Sequence, residues 1–560
     1  MNRKYVQAVL LVILALLAIA GCGRVPLEQA APPEGQAAPE NQAAATEEPA
    51  EEAPAGEQEA VGGEPQVVTR AITSEPGSLD PQGPAGAGQN AILPYLFDTL
   101  VYLDIDNKFH PYLAESWETS PDGLAVTFNL RENVTFHDGT PLNAEAVRYT
   151  FERLKQQGQA SVLAGMAEMV ESIDVIDETT VRFNLSEPSS TLLSSLATPY
   201  AGIISPTAAE ERGRGFGQSP VGSGAYMLEK WDPGVSITLV KNPDYAWAPD
   251  VVENQAAPHI DRLVFSILPD VSQQVAAFEA GEVDILFVNQ PSHVERLRQN
   301  PDAELVETTL NSLIYLGFNL SRPPFDDLRV RQAFSHAVNK EEILETALGG
   351  IGQVAVSPLA ATLPGFDPSV EAYALDYDPE RTAALLAEAG FTQGPDGTWA
   401  ADGVPLEVTL LTSTRPPNQA IATVLQSQYK AVGIPVEIQT LDSGAAMDAA
   451  TAGNYDLLLW RYDWNDADVL RVYLSTSRIG RTNRNFYSNP ELDRILDEAA
   501  RELDDERRNE LYLEAQQIIL TDAPWQPLYT PQDYIAVRKD VTSIVMGPMG
   551  RMLMNDAVKQ

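Results

Sequence analysis

A single cysteine, Cys22, stands in 560 residues. The chain therefore closes no internal disulfide and offers no thiol pair for redox or metal chemistry. Basic residues are also scarce: 37 Lys and Arg against 79 Asp and Glu give a formal net charge of −42. Such a surface repels phosphate backbones and favours solubility, so nucleic acid is excluded as a partner. The five histidines, His110, His137, His259, His293 and His336, are scattered, and none is spaced as a zinc-binding helix pair. No Gly-x-Ser-x-Gly elbow and no phosphate-binding glycine loop with Lys occurs. Gly222-Ser223-Gly224 is expected to be a glycine turn packed against a strand. These absences leave no catalytic set, so no enzyme activity, cofactor or metal is expected; an exported hydrolase is the competing reading of another class.

Long apolar runs are missing too. Asn2, Arg3 and Lys4 precede an apolar stretch from Ala8 to Ala20, shorter than the roughly 20 helical residues that cross a bilayer. Basic, then apolar, then small residues read as an export signal over residues 1–21. Ile19-Ala20-Gly21-Cys22 resembles the bacterial lipobox, which implies that Cys22 is lipidated and becomes the first mature residue. Acyl chains contribute about 0.8 kcal/mol per buried methylene, so a lipid anchor at the outer face of the cytoplasmic membrane is expected, with no other membrane contact. Residues 22–65 are rich in Ala, Pro, Glu, Gln and Gly. They bury too little to offset chain entropy, and their carboxylates repel one another. An extended tether follows.

What is present from Val67 onward is an interleaving of strand and helix patterns. Val126–Leu130 and Val181–Leu185 alternate as half-buried strands do. Leu457-Leu458-Leu459-Trp460 is a continuous apolar run, as in a strand covered on both faces. Asp378-Pro379 supplies an N-cap and a first-turn Pro, and Gly390 ends that helix. Ser488-Asn489-Pro490 opens another, with Leu492, Ile495, Leu496 and Ala499 on one face. The fold class is α/β with several lobes.

Motifs in a fixed order then carry a resemblance. They run from Glu75-Pro76-Gly77-Ser78-Leu79-Asp80-Pro81 through Leu113-Ala114-Glu115-Ser116-Trp117-Glu118, Ser120-Pro121-Asp122-Gly123 and Phe136-His137-Asp138-Gly139-Thr140-Pro141. Pro220-Val221-Gly222-Ser223-Gly224-Ala225-Tyr226, Gly281-Glu282-Val283-Asp284, Pro324-Phe325-Asp326-Asp327 with Val330-Arg331-Gln332-Ala333, Asp378-Pro379 and Glu388-Ala389-Gly390 follow. The chain resembles the family 5 extracellular solute-binding proteins of ABC importers, which take dipeptides, oligopeptides or nickel. Ser223 and Ala225 depart from the Thr and Pro usual there. Pro-Asp-Gly and His-Asp-Gly are turn sequences and are expected at hairpin tips.

The resemblance implies a type II binding-protein fold: two lobes joined by two chain crossings, with an extra subdomain on the first. Lobe I is expected from 66–104, 213–310 and 528–560, the subdomain from 105–212, and lobe II from 311–527. It also implies a monomer that closes on a small ligand, most simply a peptide, and delivers it to an ABC permease and ATPase complex. An oligosaccharide or a nickel complex is the alternative on the same fold.

For the site, the stretch Trp460-Arg461-Tyr462-Asp463-Trp464 leaves an apolar strand at its end, where α/β clefts take ligands. In peptide-binding relatives a Trp-x-x-Asp at this place holds the peptide's ammonium group, which puts Asp463 and Trp460 in those roles. An ammonium enclosed in a cleft needs a charge-assisted acceptor. Arg461 could instead neutralise Asp463 internally. Tyr149 aligns with a helix whose tyrosine reaches ligand in some relatives, and Tyr529 lies near the return crossing. Arg415 and Arg461 are both available for a peptide carboxylate. His137 is expected to bond within its own turn, and His336 to pack.

Overall fold

The computed structural model of the chain describes residues 65–560 except 85, 159 and 160. The export signal, Cys22 and nearly all of the tether lie outside the described residues.

Strand β1 (Val67–Ile72) begins the first sheet. The chain then leaves it to build a separate antiparallel sheet from β2 (Ala114–Thr119), β3 (Ala125–Leu130), β4 (Val170–Val175) and β5 (Thr180–Leu185), in the order β2-β3-β5-β4. Helix α1 (Ala144–Gln157), capped by Asn143 accepting from Ala146 N, covers this insert. Val126, Phe128, Val181 and Phe183 point inward at every second residue, and Phe183 meets the edges of Phe128 and Phe151. Alternation read from sequence thus becomes the insert's core.

Five further strands complete the outgoing part of the first sheet: β6 (Tyr226–Asp232), β7 (Ser236–Lys241), β8 (Arg262–Ile267), β9 (Ile285–Val288) and β10 (Ala303–Thr309). After Thr309 the chain crosses into a second sheet and starts β11 (Ser312–Phe318), all of whose residues are buried. Beside it come β12 (Gln353–Val354), β13 (Val408–Ser413), β14 (Val436–Leu441), β15 (Leu457–Asp463) and β16 (Trp525–Thr530). Their order is β12-β16-β11-β15-β13-β14. Strand β17 (Gln532–Arg538) then returns to the first sheet, whose order is β10-β17-β9-β1-β8-β7-β6. Two sheets joined by two crossings make the bilobed arrangement that the resemblance implies. The return, though, falls at Pro531. Tyr529 pairs with Ile314 and Val354 of the second sheet, so Leu528, Tyr529 and Thr530 belong there and not to the first lobe.

The second sheet is covered on both faces. Leu457 and Leu459 join one apolar cluster with Ile314 and Leu316, while Leu458 joins another with Leu411 and Tyr455. Helices α2 (Pro379–Glu388), α3 (Asn418–Ala431), α4 (Pro490–Arg501) and α5 (Asp505–Asp522) flank it. Asp378 caps α2 by accepting from Arg381 N at 2.9 Å, and α4 buries Leu492, Ile495, Leu496 and Ala499.

The turn motifs have distinct fates. Pro121-Asp122-Gly123 is the tip between β2 and β3. His137-Asp138-Gly139 is a turn closed by Gly139 N donating to Phe136 O and Phe136 N donating to Thr140 O, both at 2.8 Å, while His137 itself bonds elsewhere. His137 Nε2 lies 2.9 Å from Gly224 O, and His137 N donates to Gly222 O at 2.9 Å. Burial pulls the imidazole pKa down to about 4. The glycine motif it holds packs on a helix end and not on a strand: a Cβ on Gly222 would sit 2.1 Å from Leu96 O, and one on Gly224 2.3 Å from Tyr95 O. Ser223 Oγ donates to the buried Asp98 at 2.8 Å.

The C-terminus closes the first lobe. Lys559 Nζ bonds both oxygens of buried Asp284 at 2.9 Å and Val67 O at 3.0 Å, which ties the last residues to β1.

Candidate functional site

Strand β15 is the element from which the site is built. It runs antiparallel to β11, with Ser312 opposite Asp463 and Ile314 opposite Arg461, so its end meets the point where the chain enters the second sheet. It also runs parallel to β13, with Leu411 beside Leu458. The two strands therefore end on the same side, β15 at Asp463 and β13 at Ser413, with Arg415 two residues beyond.

Strand periodicity sorts the predicted residues into two groups. Trp460 and Tyr462 face one side. Tyr462 is 1 % exposed, and its hydroxyl donates to Pro358 O and accepts from Ala360 N, both at 2.9 Å. Its ring lies between those of Tyr473 and Trp525. With every hydrogen bond satisfied and no surface, Tyr462 packs a core and presents nothing to a ligand. Trp460 is half-buried beneath the Arg484 guanidinium, 5.2 Å from the ring centroid.

Arg461 and Asp463 face the other side and pair with each other. Arg461 Nε donates to Asp463 Oδ1 at 2.7 Å, and Nη2 contacts the same oxygen. Both contacts use Oδ1. The Asp463 side chain is 38 % exposed, and Oδ2 takes no bond among the described residues. The internal pairing foreseen from sequence is present, yet it leaves half of the carboxylate open.

Tyr529 is on the same rung, joined to Arg461 through Ile314. It is 4 % exposed, and burial lifts its pKa against the opposing pull of the Arg461 charge. From the first sheet comes Asp533, at the start of β17, which accepts from Asn289 Nδ2 at 3.0 Å. Burial raises its pKa, Arg461 lowers it and Asp463 raises it. Groups from both lobes thus share one electrostatic cluster at the crossings. Asp533 was not picked out from the sequence, although a carboxylate two residues past a crossing proline was the signal to follow.

The remaining candidates are placed apart. Trp464 is exposed, with its backbone N–H donating to Asn311 O at 2.9 Å beside the outgoing crossing. Tyr149 sits half-buried on α1 in the insert, where burial raises its pKa and Glu210 adds to the effect. Arg415 is exposed and has no partner among the described residues. Asp466 accepts from Asp468 N at 2.8 Å, and Asp468 pairs with Arg471 at 2.6 Å, so these acids organise the loop after β15.

Comparison with known proteins agrees with this architecture. The family model for bacterial extracellular solute-binding proteins, family 5, matches residues 108–480. A di/tripeptide-binding protein of Pseudomonas aeruginosa is 32% identical over 467 residues, covering 78% of this chain and 84% of the relative. A heme-binding protein A of Haemophilus influenzae is 29% identical, covering 83% and 87%. Among solved structures, a dipeptide-binding protein of a Pseudoalteromonas species in complex with Met-Leu superposes with a TM-score of 0.74 at 26% identity, over 88% of this chain and all of that one.

Proposed function

Because the chain belongs to the family 5 bacterial extracellular solute-binding proteins, we propose that it is the lipid-anchored component of an ABC importer that captures short peptides between its lobes. The observation that supports this most is the open Oδ2 of Asp463. Arg461 holds the carboxylate through Oδ1 alone, which leaves the other oxygen without a protein contact among the described residues on a partly exposed side chain. A peptide ammonium enclosed there gains a charge-assisted bond. Since Arg461 is committed, the carboxylate end of the peptide falls to Arg415, the unpaired cation at the same end of the sheet. An acceptor and a donor at the same end of two neighbouring strands suit a zwitterion. Main-chain bonding of the β-addition kind would hold what lies between, largely regardless of side chains.

Asp463→Asn keeps shape and removes charge. Calorimetry with free di- and tripeptides is expected to show a loss of about 3–5 kcal/mol, more than a hundredfold in affinity, and N-acetylated peptides should bind the wild type as weakly. Unchanged peptide affinity in the variant would make Asp463 structural and turn the search to neutral ligands.

The anchor belongs to the same proposal. Lipidation at Cys22 holds the protein at the outer face of the membrane, beside the permease it feeds. Mass spectrometry of the mature N-terminus should find acyl chains on Cys22, and Cys22→Ser should release them; a bare N-terminus sinks the assignment.

A further inference from the structure

The insert touches the second lobe at places distinct from the chain crossings. Ser190, in the segment after β5, donates its N–H to Ala500 O at 3.0 Å and its hydroxyl to the same oxygen at 3.1 Å. Ala499 O lies 3.4 Å from that hydroxyl. Both carbonyls belong to the last turn of α4; Ala499 O also accepts from Glu502 N at 3.3 Å, whereas Ala500 O is an end-of-helix carbonyl that Ser190 satisfies. The C-terminus of a second-lobe helix is therefore capped by a residue of the insert. Beside it, Arg501 Nε meets Glu187 Oε2 at 2.7 Å. Leu503 lies against the Pro121-Asp122-Gly123 tip: a Cβ on Gly123 would stand 3.0 Å from its Cδ1. A second contact joins Asn107 Nδ2 to Thr362 O at 2.9 Å.

We propose that the insert is a clasp that holds the lobes together by itself, so that closure carries a contribution independent of what is bound. All its bonds are made between protein groups, and none needs a ligand atom. Opening exchanges each for a bond to water, so every contact is individually weak and the clasp is reversible. A protein whose binding-competent form is only partly populated shows an affinity reduced by that fraction. The clasp raises the fraction, and it does so equally for every ligand. This inference does not depend on the peptide reading.

The test uses the full chain, stripped of ligand by unfolding and refolding, in low salt. Arg501→Glu and Glu187→Arg each place like charges at the contact, and both sites are half exposed, so folding is not at stake. Each single variant should show a larger radius of gyration by solution scattering. Amide exchange should accelerate about three- to tenfold in 187–191 and 499–503. The charge-swapped double variant should restore both. Wild-type ligand-free scattering that does not fit the arrangement with these contacts made overturns the proposal. So do single variants that match the wild type, or a double variant no better than the singles. None of these measurements contains a peptide, so their failure is separate from any failure at Asp463.

Discussion

The two faces of β15 differ in what each residue can still do. On one, Tyr462 has no surface and no free hydrogen-bonding capacity. On the other, one residue to either side of it, Arg461 and Asp463 keep an open oxygen and over a quarter of their surface. One strand thus separates a closed face from an open one by its twofold period alone. The closed face fixes the strand, and the fixed strand presents the open face.

Tyr462→Ala attacks the closed face. It leaves a cavity among Tyr473, Trp525 and the 358–360 loop, and should cost about 3–5 kcal/mol in chemical denaturation. A loss under 1 kcal/mol would mean that the face is not a packed core.

Just past the strand, Asp466 sharpens the contrast through pH. Burial raises its pKa to about 6, and neighbouring Asp468 adds to the shift, against Arg508 and Arg471. The folded state therefore holds this proton more tightly than the unfolded state between pH 3.8 and 6. Stability contributed by the group falls as pH rises through that window and stays low above it. Asp466→Asn should flatten this slope and raise stability at pH 7, by on the order of 1 kcal/mol once solvent around a half-buried carboxylate is allowed for. Parallel denaturation curves at pH 4.5 and 7 decide it, and an unchanged difference between the two pH values counts against the assignment.

Arg461→Ala touches only the open face. Its ion pair is partly exposed, so stability should change by less than about 1 kcal/mol. A larger loss would show that the pair braces the strand and that the two faces are not separable in this way.

Much of this was readable from residue order. The caps at Asp378 and Asn489, the buried stripe of α4 and the two-sided burial of Leu457–Leu459 all follow local rules, and each stands where those rules put it. Arg461 was recognised as a possible neutraliser of Asp463. Which oxygen it would use was not, because that depends on side-chain geometry at a strand end. Trp460 and Asp463 were grouped by a motif, yet an odd spacing along a strand puts them on opposite faces; the period applied to Val126–Leu130 would have separated them. The His137 turn was read as local. The turn does close on itself, but the bonds of His137 run to Gly222 and Gly224, more than eighty residues on, and no local pattern encodes such a partner. The return crossing was displaced by three residues for a related reason: strand pairing, not apolar content, decides where Leu528 to Thr530 belong.

The place of β17 has a consequence for how the molecule comes into being. It lies between β9 and β10 inside the first sheet, and Lys559 fastens the tail to β1 through Val67 O. A chain emerging from its N-terminus can assemble the insert and then the whole second sheet while the first sheet still lacks the strand between β9 and β10. Only the final thirty or so residues supply it. Strands β9 and β10 wait longest for their shared partner, and until then they keep exposed edges open to any other strand. Loss of a few C-terminal residues would therefore be felt at the opposite end of the chain.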